Sequence, residues 1–202
     1  MIGFYNYTVI LTYLGLSTGV LGIFMALNGN LFYSVVCLLF CGLFDMFDGK
    51  VARTKKRSKE EINYGIQIDS LSDLVCFGIL PIIIGYAIGL NKYYHFIFLI
   101  LYVLCALIRL AYFNVLEITR QDNDNSVLKC YTGLPVTSVA LIFPLIYALK
   151  DVLGTYFELV YLMGIILISF LFVSKIKIKK PSLKVMIIFI LLGLIELIFG
   201  LI

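Results

Sequence analysis

FDMFDGKVARTKKRSKEEINYGIQIDSLSD, residues 44–73, sets four aspartates, Asp45, Asp48, Asp69 and Asp73, inside a chain that is otherwise mostly hydrocarbon. Carboxylates beside lipid are costly unless they meet water, a partner or a cation. Their spacing is helical on both flanks of the stretch. Asp45, Asp48, Gly49 and Ala52 fall at i, i+3, i+4 and i+7, which is one face of a helix. Gly65, Asp69 and Asp73 fall at i, i+4 and i+8, again one face. The first set closes one apolar segment and the second opens the next. Two such segments joined by a polar loop run antiparallel, so both faces meet at one depth and four carboxylates converge.

The rest of the chain fixes the class. It has 202 residues, 62% of them hydrophobic and only 14% charged, with a mean hydropathy of +1.05. A soluble domain of this size has too much surface to carry that composition. The apolar residues come in blocks of about 20, the length that crosses roughly 30 Å of hydrocarbon as helix. An all-α polytopic membrane protein is the reading. Hydropathy gives seven spans, at 8–27, 31–51, 65–90, 93–116, 134–149, 155–174 and 184–202. The first 29 residues hold no Lys or Arg, so a basic signal-peptide start is missing and the first span is expected to be retained. Cys37, Cys41, Cys76 and Cys105 sit in apolar segments and Cys130 in a loop; no C-x-x-C pair occurs, and all five read as small packing residues.

Lysine and arginine set the orientation. Lys50, Arg53, Lys55, Lys56, Arg57 and Lys59 flank the second loop, Arg120 and Lys129 the fourth, and Lys175, Lys177, Lys179, Lys180 and Lys184 the sixth. These thirteen share one side, against Lys92 and Lys150 on the other, with Arg109 inside the fourth span. The basic side is cytoplasmic by the positive-inside rule, which puts the N-terminus and all four aspartates inside. His95, the single histidine, is expected near the outer surface, away from the aspartates.

Four carboxylates in one small volume cannot all stay ionised without cations. Oxygen donors with no His or Cys among them select a hard divalent ion, Mg²⁺, Mn²⁺ or Ca²⁺. Four suit two such ions, the arrangement that clamps phosphate oxygens during displacement. Gly49, Ala52 and Gly65 clear the helix faces for a bulky polar group, and Arg53 is placed to hold a phosphate oxygen. Two other readings stand beside this one. Acids at helix ends are often only solvated, and Asp69 and Asp73 also suit the positive end of a helix dipole. Intramembrane acids can also serve cation transport, but a transporter spreads them along a path through the bilayer. Here they are confined to one interface.

At these residues a resemblance enters. Asp45-x-x-Asp48-Gly49-x-x-Ala52-Arg53, a spacer, then Gly65-x-x-x-Asp69-x-x-x-Asp73 resembles the signature of the CDP-alcohol phosphotransferase family. The spacer, 54–64, is longer than is usual there. DSLSDLVCFGILP at 69–81, CALIRLAYFNV at 105–115, GLPVTSVA at 133–140 and VSKIKIKKPSLK at 173–184 resemble runs of the phosphatidylserine synthase branch. Tyr112 stands where that branch carries a second Arg, and Gly15 where relatives often carry Asn.

The resemblance implies a six-helix transmembrane core over 1–174, followed over 175–202 by a basic cytoplasmic turn and an appended seventh helix. It implies metal-dependent transfer of a phosphatidyl group from CDP-diacylglycerol to serine, releasing CMP, within phospholipid biosynthesis. Asp45, Asp48, Asp69 and Asp73 would hold two divalent cations, Mg²⁺ or Mn²⁺, with Asp73 also the general base. Asp48, Gly49, Ala52, Arg53 and Gly65 would line the CDP-lipid site, and Arg109 would bind the acceptor or a phosphate, unless it serves only to brace the fold. Glycerol 3-phosphate or an inositol phosphate are the alternative acceptors. The cell membrane is the expected location and a homodimer the expected assembly, with membrane lipids as surroundings and no nucleic-acid partner.

Overall fold

The computed structural model describes residues 3–52, 54–122 and 130–179. A short 3₁₀ turn, Tyr7–Val9, is capped by Asn6, whose side chain accepts from the Thr8 amide at 3.0 Å. It leads into α1 (Ile10–Leu27), and the Asn28-Gly29-Asn30 hinge, with Gly29 at φ +78°, turns the chain into α2 (Leu31–Ala52). The buried residues of α1 are Thr12, Gly15, Gly19, Gly22 and Ala26, a stripe of small side chains that lets two neighbours approach closely. A methyl built at Gly19 would lie 2.7 Å from Cys76 Sγ, and one at Gly22 would lie 2.9 Å from Cys37 Cβ. Ser34 Oγ donates to the Gly22 carbonyl at 2.8 Å and closes the α1–α2 contact.

The third span is continuous from Lys59 to Ile88 but not uniform. It comprises α3 (Lys59–Asp73), a π-helical turn (Leu74–Ile79) and α4 (Leu80–Ile88). Ser58 and Glu61 start it with a reciprocal capping box. The π turn follows directly on Asp73 and precedes Pro81, which has no amide hydrogen to donate. Tyr102 supplies a donor at this weak point, its hydroxyl reaching the Phe77 carbonyl at 2.8 Å. Tyr161 does the same for the Pro81 carbonyl at 2.9 Å.

Next come α5 (Tyr93–Asp122), the short α6 (Val139–Ala148) with Pro144 inside it, a one-turn α7 (Lys150–Leu153) and α8 (Phe157–Val173). Two three-residue strands, β1 (Cys130–Thr132) and β2 (Lys177–Lys179), pair antiparallel with Tyr131 opposite Ile178. Segments that read as separate loops are therefore tied together. Gly133 makes the return possible. Its φ is +77°, its amide donates to the Ile176 carbonyl at 2.8 Å, and a methyl there would lie 2.8 Å from the Phe172 carbonyl oxygen.

Among the described residues, five helices are long and apolar enough to cross a membrane: Tyr7–Leu27, Leu31–Ala52, Lys59–Ile88, Tyr93–Thr119 and Lys150–Val173. The shorter apolar segment Val136–Ala148 lies between the last two. These match the first six expected spans, while the seventh, 184–202, lies outside the described residues. The chain is an integral membrane protein with an all-helical core. That core centres on Tyr102, Phe143, Tyr161 and Phe172, all fully buried, with the Phe143 and Tyr161 rings stacked at 4.8 Å. Outward, α5 exposes Ile97, Ile100, Leu101, Leu104 and Ile108, a stripe suited to lipid rather than water. His95 lies in the first turn of α5, outside the aspartate recess; it is 4% exposed, with Nε2 3.9 Å from Glu158 Oε1.

Candidate metal and substrate site

Regular α-helix at the end of α2 and through α3 delivers the two expected faces to one place. Carboxylate oxygens of Asp45, Asp48 and Asp69 lie within 4.8 Å of one another. Asp73 follows one turn after Asp69; it is buried and lines the same recess without joining the close group of three.

The carboxylates line a small recess that is partly open to its surroundings. Three elements wall it. α2 gives Cys41, Asp45 and Asp48; the third span gives Asp69, Ser72, Asp73, Cys76 and Phe77; α1 gives Leu11, Thr12 and Gly15. The α1 wall is what the spacing of the aspartates leaves out. Thr12 Oγ1 donates to Asp48 Oδ2 at 3.5 Å, and Ser72 Oγ donates to the Thr12 carbonyl at 3.4 Å. Thr12 had a sequence signal, since it heads the small-residue stripe Thr12, Gly15, Gly19, Gly22. Cys41 and Cys76, read as packing residues, do pack, and they also floor the recess, each with its sulfur 3.4 Å from the Gly15 carbonyl oxygen.

Whether these residues suit a metal is a question of donor chemistry. The converging atoms are carboxylate oxygens, and no Lys, Arg or His among the described residues is ion-paired to any of the four aspartates. A compact acidic group with no basic partner among the described residues fits a hard divalent cation.

The small residues divide. A methyl built at Gly49 would meet nothing within 4 Å, so that face of α2 is open. The space over Gly65 is occupied: a methyl there would lie 3.2 Å from Arg57 Nη1. Ala52 is the last residue of α2, and Arg53 lies outside the described residues. Arg109 is buried but does not line the recess. Its Nε donates to the Leu134 carbonyl at 3.2 Å, and its guanidinium lies 5.3 Å over the Phe113 ring.

A family profile, CDP-alcohol phosphatidyltransferase, matches residues 5–201. The chain belongs to that family. Among curated relatives, it is 39% identical over 109 residues to the CDP-diacylglycerol–serine O-phosphatidyltransferase of Saccharomyces cerevisiae, covering 53% of this chain but only 38% of the yeast protein. It is 34% identical over 170 residues to the archaetidylserine synthase of Methanothermobacter thermautotrophicus, covering 83% of this chain and 67% of that one. With the CDP-diacylglycerol–serine O-phosphatidyltransferase of Bacillus subtilis it shares 30% identity over 162 residues, 79% of this chain and 81% of the relative. The matched span, 5–201, includes the whole aspartate recess. Membership sets aside a cation transporter as the setting for these acids.

Proposed function

We propose that this chain transfers a phosphatidyl group from CDP-diacylglycerol to the hydroxyl of serine, giving phosphatidylserine and CMP. The observation that carries the reading is the aspartate recess itself, in a chain whose named relatives above all make a serine lipid. The serine oxygen attacks the phosphorus bonded to the lipid, the bond to the cytidylate oxygen breaks, and CMP leaves. The serine proton passes to the Asp73 carboxylate, buried at the depth where the attack takes place. Asp45, Asp48, Asp69 and Asp73 are the proposed ligands of two divalent cations, Mg²⁺ or Mn²⁺, which when bound supply charge neutralisation of the diphosphate.

The open face at Gly49, with Asp48, Ala52, Arg53 and Gly65, forms the CDP-lipid site, and the acyl tails remain in lipid. Arg109 is assigned to the acceptor side, through the Gly133–Leu134 turn that it braces. The thirteen basic residues support a site facing the cytoplasm of the cell membrane with the N-terminus inside, and the assembly is a homodimer.

The test is CMP release by the protein in membranes supplied with CDP-diacylglycerol and, separately, serine, glycerol 3-phosphate and an inositol phosphate. Release with serine is expected. Release only with a phosphorylated alcohol would replace the acceptor, and metal uptake without CMP release would replace the reaction.

A further inference from the structure

We infer that Arg57, on the loop between α2 and α3, is a binding residue for the diphosphate of the donor; this rests on the donor proposed above. The position is specific. Arg57 Nη1 comes within 3.2 Å of where a side chain at Gly65 would begin, so the guanidinium rests on the bare position of the α3 aspartate face. Gly65 precedes Asp69 by one helical turn, about 6 Å along the axis. The cation is therefore held just beyond the carboxylates, on the side from which the loop arrives.

Its surroundings do not neutralise it. Arg57 is half-buried, and no carboxylate among the described residues is ion-paired with it. The nearest acid in the same capping motif, Glu61, is already engaged. It accepts from Lys55 Nζ at 3.2 Å, from Asn6 Nδ2 at 3.1 Å and from the Ser58 amide at 3.0 Å. Those contacts also hold the loop still on the far side of Arg57. On the near side Thr54 Oγ1 donates to the Val51 carbonyl at 2.8 Å and meets Tyr7 Oη at 3.0 Å. A half-buried cation on a pinned loop, ion-paired to no acid among the described residues, is placed to take an anion.

Charge balance identifies the anion. Four carboxylates and two divalent cations cancel, whereas a diphosphate diester adds two negative charges that the cluster leaves unmatched. A guanidinium fork matches phosphate oxygens in charge and geometry. Serine is the weaker candidate, because it carries its own ammonium group and is neutral overall.

The experiment uses the full chain in lipid nanodiscs with Mg²⁺, as wild type, Arg57→Ala and Arg57→Lys. Equilibrium binding is measured for CDP-diacylglycerol, CDP and cytidine, and KM for donor and serine from CMP release. Arg57→Ala should weaken both diphosphates about tenfold and leave cytidine unchanged. Arg57→Lys should recover part of the loss. Donor KM should rise with kcat and serine KM little altered. Unchanged diphosphate affinity, an equal loss for cytidine, or a rise confined to serine KM would each overturn the assignment. If the wild type binds CDP-diacylglycerol yet releases no CMP with serine, the acceptor reading fails while the binding comparison still decides Arg57.

Discussion

Ser70 Oγ donates to Asn114 Oδ1 across 2.7 Å, joining the residue beside Asp69 on α3 to the C-terminal half of α5. Ser70 lies about 100° around the helix from Asp69, so one face of α3 serves the recess while the adjacent face is clamped. Ser70→Ala and Asn114→Ala should each cost about 1 kcal/mol, and the double variant should cost less than their sum. Unfolding of the three variants in detergent measures this. Each should also lower kcat several-fold, because the clamp sets where the α3 aspartates stand; strictly additive losses would mean the bond is incidental.

Asp73→Asn keeps the volume of the buried side chain and removes its ability to take a proton. Transfer should fall by about 10²–10⁴-fold, the usual worth of a positioned base. Size-exclusion profile and helical circular dichroism should stay those of the wild type. Near-normal CMP release would remove Asp73 from that role.

Much of this was legible in the sequence, and the reasons are physical. Asp45, Asp48, Asp69 and Asp73 were readable because α2 and α3 are regular α-helix over those residues, so their spacing maps onto real faces. The span boundaries were readable because the polar hinges at Asn28–Asn30 and Asn91–Lys92 interrupt the hydropathy. What periodicity could not reach were contacts between distant segments. The pairing of β1 with β2 leaves no periodic trace in three residues. The π turn after Asp73 changes the helical register in a stretch where every residue is apolar or small. Thr12 meets Asp48 only because α1 nests beside α2, and Arg57 meets Gly65 only because the loop folds back.

Chelation should abolish CMP release, and Mg²⁺ or Mn²⁺ should restore it, since three carboxylates within 4.8 Å repel one another when no cation intervenes. Relief of that repulsion should also raise the thermal midpoint of the folded protein when metal is added. Activity that survives exhaustive chelation would exclude the metal-dependent reading.

Arg109→Ala withdraws the donor that reaches the Leu134 carbonyl and loosens the turn at Gly133. Stability should drop by about 1.5–3 kcal/mol, the range for hydrogen bonds to charged groups. Serine KM should rise more than donor KM if the turn shapes the acceptor side. A rise in donor KM alone would move Arg109 to the other substrate.

Gly22 and Gly49 give opposite expectations from the same substitution. At Gly22 an added methyl would lie 2.9 Å from Cys37 Cβ and 3.1 Å from two carbons of Leu80, whose side chain is fully buried. A Cβ cannot rotate away, so Gly22→Ala should force α1 from α2 and cost about 1–3 kcal/mol, as overpacked cores do. At Gly49 the same methyl meets nothing within 4 Å. The protein itself therefore has no need of a glycine there, and Gly49→Ala should gain up to about 1 kcal/mol from helix propensity. Activity should move the other way: Gly49→Ala, filling space kept for the donor, should raise donor KM despite the better fold. The measurement is a thermal midpoint beside a donor titration for each variant. Unaltered donor KM in Gly49→Ala would show that this open face of α2 is not where the CDP-lipid rests.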